Sequence, residues 1–84
     1  MIFYHGTTEQ KWNQIQNDGY LLGVTENGRF TFLSPEIGIA QRYGDVVLEV
    51  DYDITVHPEL VEKLGWWQYI IHDPIGIDKI KIVS

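Results

Sequence analysis

The sequence contains no cysteine. This absence excludes disulfide bonds, a thiolate nucleophile and cysteine-ligated zinc, and it fits a reducing compartment. The three histidines, His5, His57 and His72, have no His-x-x-x-His spacing, so we expect no metal site. The glycine-rich phosphate loops Gly-x-x-x-x-Gly-Lys and Gly-x-Gly-x-x-Gly are absent, as is the Gly-x-Ser-x-Gly turn of serine hydrolases. The sequence therefore predicts no metal site, and it contains none of these phosphate-binding or serine-nucleophile motifs.

Basic residues are also few. Six Lys and Arg stand against twelve Asp and Glu, for a net charge of −6. Such a chain is unsuited to nonspecific binding of nucleic-acid phosphates, and an anionic ligand would need a local site built on Arg29, Arg42 or backbone N–H groups. No apolar run is long enough to span a bilayer, and the first residues lack the basic segment and cleavage site of a signal peptide. We therefore expect a cytoplasmic protein with no membrane partner.

Aromatic residues, by contrast, are abundant: three Trp, five Tyr and three Phe in 84 residues. A chain of this length predicts one domain, residues 1–84, with a small core. Aromatic rings bury large areas in such a core, and they also line ligand pockets. The neighbouring Trp66 and Trp67 point to opposite sides if they lie on a strand, which predicts one buried and one exposed indole.

The first half of the chain predicts a strand, a helix and a loop. Residues 2–4 form a short apolar run that is typical of a strand. Thr7 or Thr8 is suited to cap a following helix, and Gly19 is suited to end it in the left-handed conformation. Residues 20–29 contain glycine and asparagine and predict a loop.

The remaining pattern favours strands. A helix is expected to begin at Ser34 as N-cap, with Pro35 in its first turn, and to end at Gly44. The other predicted elements are strands at residues 30–33, 46–52, 67–72 and 77–83 and a helix within residues 57–65. The resulting order, β-α-β-α-β-α-β-β, favours an α+β fold over a doubly wound parallel sheet.

Among single residues, His5 is the strongest candidate for chemistry. It ends an apolar strand and precedes Gly6, a position from which a histidine can face a pocket and bond a ligand hydroxyl. The alternative is a histidine bonded only to backbone. The carboxylates Glu49, Asp51 and Asp53 alternate along one strand, which is typical of a solvated outer face rather than of an acid–base pair.

Four segments taken in order carry a resemblance to a known family. They are Tyr4-His5-Gly6-Thr7, Ile15-Gln16-Asn17-Asp18-Gly19, Phe32-Leu33-Ser34 and Ala40-Gln41-Arg42-Tyr43-Gly44. In this order and spacing they resemble the ADP-ribosyltransferase fold, in the diphtheria-toxin and poly-ADP-ribose-polymerase branch with its His–Tyr–Glu triad. The resemblance covers about residues 2–53. It implies a split, antiparallel-rich β-sheet with two or three short helices and a pocket for NAD or an ADP-ribose-type nucleotide.

The resemblance also implies roles for individual residues. His5 would bond the adenine-side ribose of NAD, and Gly6, followed by Thr7 in the same motif, would bind the nicotinamide amide through its backbone. Phe32 stands where the family usually has Tyr, and with Tyr43 it would stack on the nicotinamide ring.

Further positions follow from the same comparison. Ser34 would cap a helix, and Arg29 or Arg42 would reach the diphosphate. The residue closest to the family's catalytic Glu is Gln68, which can bond a ribose hydroxyl but cannot supply a negative charge.

Three functions remain open on the sequence alone. The first is a degenerate binder that holds NAD or a related nucleotide, to sequester or read it, without turnover. The second is a small NAD-dependent mono-ADP-ribosyltransferase, or an enzyme that removes ADP-ribose, acting on a protein or nucleic-acid target. The third is a protein-interaction module that uses Trp66 and Trp67 at an interface, including one between copies of this chain. A compact, acidic domain of this kind would also suit an accessory protein of a phage or mobile element.

Overall fold

Ten strands and two α-helices make up the computed structural model, which describes residues 1–83. Short 3-10 turns lie at Gln41–Tyr43, Pro58–Leu60 and Ile77–Lys79. The strands and helices in chain order are β1 (Ile2–Thr7), α1 (Glu9–Asp18), β2 (Tyr20–Leu21), β3 (Val24–Thr25), β4 (Gly28–Arg29), β5 (Thr31–Leu33), α2 (Ile37–Ala40), β6 (Val46–Asp51), β7 (Val61–Lys63), β8 (Tyr69–Ile71), β9 (Ile75–Gly76) and β10 (Ile80–Ile82).

Two three-stranded antiparallel sheets form the frame. The first has the order β1-β6-β10 and the second the order β5-β8-β7. The β-branched run of β6 occupies the centre of the first sheet, where Val47, Leu48 and Val50 are buried. Two smaller pairings, β2 with β9 and β3 with β4, complete the sheet structure described for residues 1–83.

The two larger sheets meet at one point, where Tyr4 of β1 pairs with Ser34 just after β5. Their backbone N–H groups and carbonyls exchange two hydrogen bonds of 2.7 and 2.9 Å. A ladder continued from this pair would place Gly6 opposite Phe32. Instead, the His5 ring bonds the Phe32 carbonyl and the two strands separate. The sheet therefore splits beyond Tyr4, and this split positions the site described below.

The helix α1 follows the sequence prediction closely. Thr8 is its N-cap and accepts a hydrogen bond from the N–H of Lys11, and Gly19 ends it with φ 81°. Ile15 is buried and Trp12 packs against the core. The prediction of this helix is confirmed, as are those of β1 and β6.

The core joins apolar side chains from both sheets, α1 and the small β2–β9 pair. Its buried members are Phe3, Ile15, Leu21, Leu33, Val46, Leu48, Val50, Ile71 and Ile75. The Cα radius of gyration is 11.6 Å, close to the roughly 12 Å expected for a compact domain of this length. The chain is thus a small compact α+β domain with antiparallel sheets and two helices. Neither helix in residues 1–83 is long and apolar enough to cross a membrane.

In the second half, one predicted element is wrong in type and another is shorter than predicted. Residues 57–65 do not form a helix, because only a 3-10 turn precedes β7, where Val61 pairs with Ile71 across the strands. Of the strand predicted at residues 77–83, only Ile80–Ile82 forms, after a 3-10 turn. For residues 61–63, pairing with β8 outweighed the local apolar spacing that favours a helix. The predicted loop at residues 20–29 contains the short strands β2, β3 and β4.

The helix expected from Ser34 begins later than predicted. Ser34 is committed to its bridge with Tyr4, and its Oγ accepts the N–H of Glu36 at 3.1 Å. The helix α2 therefore starts at Ile37 without a side-chain cap and lasts four residues before it tightens into a 3-10 turn.

The expectation for the tandem tryptophans is also wrong. Trp66 is 68% exposed and Trp67 37% exposed, so neither indole belongs to the core. Both lie in the turn between β7 and β8 and not on a strand, so the alternation of faces does not apply to them.

Candidate functional site

A cavity of about 450 Å³ opens where β1 and β5 separate. Its walls are the end of β1, one face of α1, β5 and the turn that follows α2. Most sequence-predicted site residues lie on this wall: His5, Gly6 and Thr7 of β1, then Phe32, Ser34, Tyr43 and Gln68. Residues far apart in the chain are brought to one site because the sheet splits beside the strand that carries the histidine.

His5 is held in one orientation by the backbone. Its Nδ1 lies 2.8 Å from the carbonyl oxygen of Phe32. Because a carbonyl can only accept, Nδ1 carries the proton, and Nε2 of the neutral ring is an acceptor. Burial lowers the pKa of His5 below its usual 6.5, and the charge of Lys11 lowers it further, against the Phe32 carbonyl, which raises it. The ring is therefore neutral at pH 7 and suited to accept a hydroxyl hydrogen.

Gly6 contributes its backbone. The N–H and C=O of Tyr4 point away from β6, toward Ser34, and the groups of Gly6, two residues on, share that direction. Because β5 has separated there, Gly6 has no backbone bond to β5 and its polar groups face the gap.

The lack of a side chain at Gly6 has a packing reason. A Cβ at Gly6 would overlap the carbonyl oxygen of Ala40, which lies in α2. The glycine thus lets α2 pack on β1, and this requirement exists whether or not a ligand approaches its backbone.

Five aromatic residues outside the core line the cavity: Tyr4, Tyr20, Phe30, Phe32 and Tyr43. The resemblance assigns stacking roles to two of them. Phe32 is 38% exposed and Tyr43 57% exposed. Phe30 supports Phe32 edge-on, with 5.3 Å between ring centroids. Within residues 1–83, Phe32 and Tyr43 make no ring contact with each other, so neither ring covers the other. Partly exposed aromatic rings at a cavity are suited to stack on a flat ligand ring.

Gln68 brings a polar side chain to the cavity wall. The residue is 6% exposed, and its backbone carbonyl accepts the N–H of Leu64 at 2.8 Å. Its side-chain amide has no hydrogen-bond partner within residues 1–83 and lies on the cavity wall. Because no buried side-chain polar atom of residues 1–83 lacks a partner, the amide atoms are open to solvent at the cavity, where a ligand can bond them in place of water.

Ser34 has a structural role. It is 3% exposed, its backbone forms the bridge between the sheets, and its hydroxyl bonds the N–H of Glu36. Although it reaches the cavity wall, its polar groups are already used by the protein.

Neither arginine lies on the cavity wall. Arg29 is exposed on β4, and Arg42 is exposed in the turn after α2. The basic residue that does line the cavity, among residues 1–83, is Lys11. The structure therefore does not bring the predicted diphosphate contacts to this site.

One face of α1 was missed by sequence reasoning. Lys11, Gln14 and Asp18 line the cavity together with Ile15, and the Gln14 amide donates to Asp18 Oδ1 at 3.0 Å. The signal was present, because residues spaced three and four apart share a helix face with the buried Ile15. The spacing does not predict which other strand or helix this face of α1 contacts.

Within residues 1–83, no group of three or more His, Asp or Glu side chains is arranged to hold a metal ion. No family model matches this chain, and no curated protein or solved structure matches it significantly.

Proposed function

We propose that this chain binds NAD or a related ADP-ribose-containing nucleotide in the cavity between β1 and β5, as a degenerate ADP-ribosyltransferase-like binder. One observation carries the proposal: the acceptor Nε2 of His5, the peptide groups of Gly6 and the amide of Gln68 lie on one cavity wall with the partly exposed rings of Phe32 and Tyr43. The split between β1 and β5 supports the likeness in fold, because it places the motif histidine and glycine beside the opening.

Binding without turnover follows from Gln68. Breaking the bond between nicotinamide and ribose builds positive charge on the ribose, and a carboxylate stabilises that charge. A neutral amide bonds a hydroxyl but offers no such compensation. We therefore expect NAD to be retained intact.

The test is isothermal titration of the full chain with NAD and ADP-ribose, alongside the His5→Asn variant. Asparagine keeps an N–H near the Nδ1 position for the Phe32 carbonyl but lacks the acceptor at Nε2. We expect NAD to bind the native chain and to bind His5→Asn at least about tenfold more weakly, a loss of about 1.4 kcal/mol. No heat from either nucleotide with the native chain would reject the proposal.

Turnover is checked separately by chromatography of NAD after long incubation. Intact NAD supports a binder. Nicotinamide release that His5→Asn abolishes would instead establish the enzymatic alternative. Gln68→Glu is the matched variant, since gain of nicotinamide release on restoring a carboxylate supports the account of the degenerate site.

A specific observation also favours the second candidate, a protein-interaction module. The turn between β7 and β8 exposes Leu64, Trp66 and Trp67 together. Exposed apolar groups of this size are typical of contact surfaces. Sedimentation velocity tests self-association: a mass above the monomer that Trp66→Ser lowers supports an interface between copies, and a monomer at all concentrations argues against it.

A further inference from the structure

The charged groups of the cavity wall are separated along α1. Among residues 1–83, two formally charged side chains line the cavity, Lys11 in the first turn of α1 and Asp18 at its end. Two helical turns, about 10 Å along the axis, lie between them. Gln14 donates to the Asp18 carboxylate, whereas the exposed Lys11 ammonium has no ion pair or hydrogen bond within residues 1–83. The Lys11 end of the cavity therefore carries a positive charge that no carboxylate pairs.

This positive end lies beside His5. Burial lowers the pKa of His5, and the charge of Lys11 lowers it further, which places the ammonium near the ring. Thr8, the N-cap of α1, lines the same end of the cavity, so the positive end of the helix dipole adds to the field of Lys11. An anionic group of a ligand is therefore favoured next to the group that His5 bonds.

Thr7 brings a hydroxyl group to the same place. His5 and Thr7 alternate along β1 and therefore share one face of the strand. Thr7 is 4% exposed and lines the cavity, and its hydroxyl has no hydrogen-bond partner within residues 1–83. Because no buried side-chain polar atom in that range lacks a partner, this hydroxyl is open to the cavity, where it can donate to a ligand oxygen.

Under the proposed function, His5 bonds a hydroxyl of the adenine-side ribose. In Rossmann folds a carboxylate beside this ribose bonds the 2′-hydroxyl of NAD, whereas a basic side chain there accommodates the 2′-phosphate of NADP. The electrostatic reason does not depend on the fold. In this cavity the charged group near His5 is Lys11, and the carboxylate of Asp18 lies two helical turns away from it.

We infer that the cavity prefers a nucleotide whose adenine-side ribose carries a 2′-phosphate, as in NADP, and that Lys11 and Thr7 bind this phosphate. The inference rests on the proposed function, because it names the class of nucleotide that the same cavity takes. A phosphate monoester carries a charge of about −1.5 to −2 at pH 7 and three strong acceptor oxygens. One ammonium group and one hydroxyl, both without a protein partner, complement these oxygens.

The experiment titrates the full chain by calorimetry with NAD and NADP, which differ only in the 2′-phosphate. We expect NADP to bind at least about tenfold more tightly than NAD. ADP-ribose 2′-phosphate should likewise bind more tightly than ADP-ribose, because both lack the nicotinamide ring and differ in the same phosphate. Added salt should weaken NADP more than NAD, since screening acts on the additional charge pair.

Three variants locate the effect. Lys11→Gln keeps most of the side-chain length and removes the charge, and we expect NADP to bind it less than about threefold more tightly than NAD, with the Kd for NAD within about threefold of the native value. Thr7→Val keeps the shape of the side chain and should weaken NADP at least about threefold. Lys79→Gln is the matched control, because it makes the same charge change at a lysine that does not line this cavity, and it should leave both Kd values within about twofold.

The outcomes separate the two proposals. If NADP binds no more tightly than NAD, or if Lys11→Gln weakens both nucleotides equally, the inference is wrong and the proposed function stands. The inference is also wrong if Lys79→Gln weakens NADP as much as Lys11→Gln does, because net charge would then account for the preference. If none of the four nucleotides binds, the proposed function fails, and the inference fails with it.

Discussion

The cavity between β1 and β5 and a second cavity beside the end of β6 have similar volumes, about 450 and 390 Å³, but their polar groups differ. In the second cavity the Tyr52 hydroxyl donates to Asp73 Oδ2 at 3.1 Å. Asp53 Oδ1 accepts from the N–H and the hydroxyl of Thr55 at 2.9 and 2.6 Å. In the first cavity the amide of Gln68 has no partner within residues 1–83.

This difference distinguishes polar groups that stabilise the fold from polar groups that are free to bind a ligand. Polar groups that the protein itself satisfies stabilise the fold and have little left to offer a ligand. Groups held at a cavity wall without a partner gain their bonds when a ligand arrives. Size therefore does not distinguish the two cavities; the amide of Gln68, which has no protein partner within residues 1–83, is the feature of the first cavity that is suited to a ligand.

The largest expected effect compares glycines beside each cavity. Gly6→Ala forces a Cβ into the backbone carbonyl of Ala40, which cannot move without shifting α2. We expect the free energy of unfolding in urea to fall by about 2–3 kcal/mol or more. In Gly76→Ala the Cβ meets the carboxylate oxygen of Asp78 at 2.6 Å, at the end of a flexible side chain that can rotate away.

The Gly76→Ala variant should therefore lose less than about 1 kcal/mol. Equal losses in the two variants would show that the close packing of Gly6 against α2 is not a distinctive constraint.

The next effect is on ligand affinity. Tyr43→Ala removes an exposed ring from the first cavity, and we expect NAD to bind about five- to tenfold more weakly while stability changes little. Tyr52→Phe changes the second cavity and should leave the Kd for NAD within about twofold. Calorimetry measures both, and an unchanged Kd in Tyr43→Ala would contradict the stacking role.

Tyr52→Phe should instead act on stability. It removes the bond to Asp73, at a cost of about 0.5–1.5 kcal/mol in urea unfolding at pH 7. Burial, with the hydrogen bond and negative charge of Asp73, raises the pKa of Tyr52 to about 12. Because this pKa is above the unfolded value of 10, the native stability contribution is present below pH 10 and is lost as the pH rises toward 12.

Absorbance of tyrosinate during alkaline titration checks the Tyr52 assignment. The native chain should show one phenol that ionises late, and Tyr52→Phe should lack it.

The smallest effect is the acid dependence from His5. Its pKa is lower in the fold than the usual 6.5, so the unfolded chain binds the proton more readily. The contribution of His5 to stability is therefore present above about pH 6.5 and is lost as the pH falls below it. Unfolding free energies at pH 7.5 and 5.5 should differ less in His5→Asn than in the native chain, and an equal difference would contradict the assignment.

Local signals in the sequence predicted several elements well. Thr8 and Gly19 bound α1 because capping and the left-handed stop act within one turn of the chain. The β-branched run of β6 predicts its strand for a similar reason, since the preference belongs to the side chains themselves.

Other elements depended on partners that the sequence does not display. Val61 joined β7 because Ile71 lies opposite it, although the local pattern favoured a helix. Ser34 does not cap α2 as predicted, because its backbone pairs with that of Tyr4. In each case a contact between distant segments outweighed a local preference worth less than about 1 kcal/mol per residue.

The same division holds for the candidate site. Its residue types were already evident in the sequence: a histidine and glycine at a strand end, aromatic residues, and a glutamine where a carboxylate was expected. Only the tertiary structure decided that Lys11 lies on the cavity wall and both arginines do not, and that the amide of Gln68 remains without a protein partner. Residue chemistry is local and can be read along the chain, whereas the neighbours that satisfy or leave open each polar group are set by how the sheets split and pack.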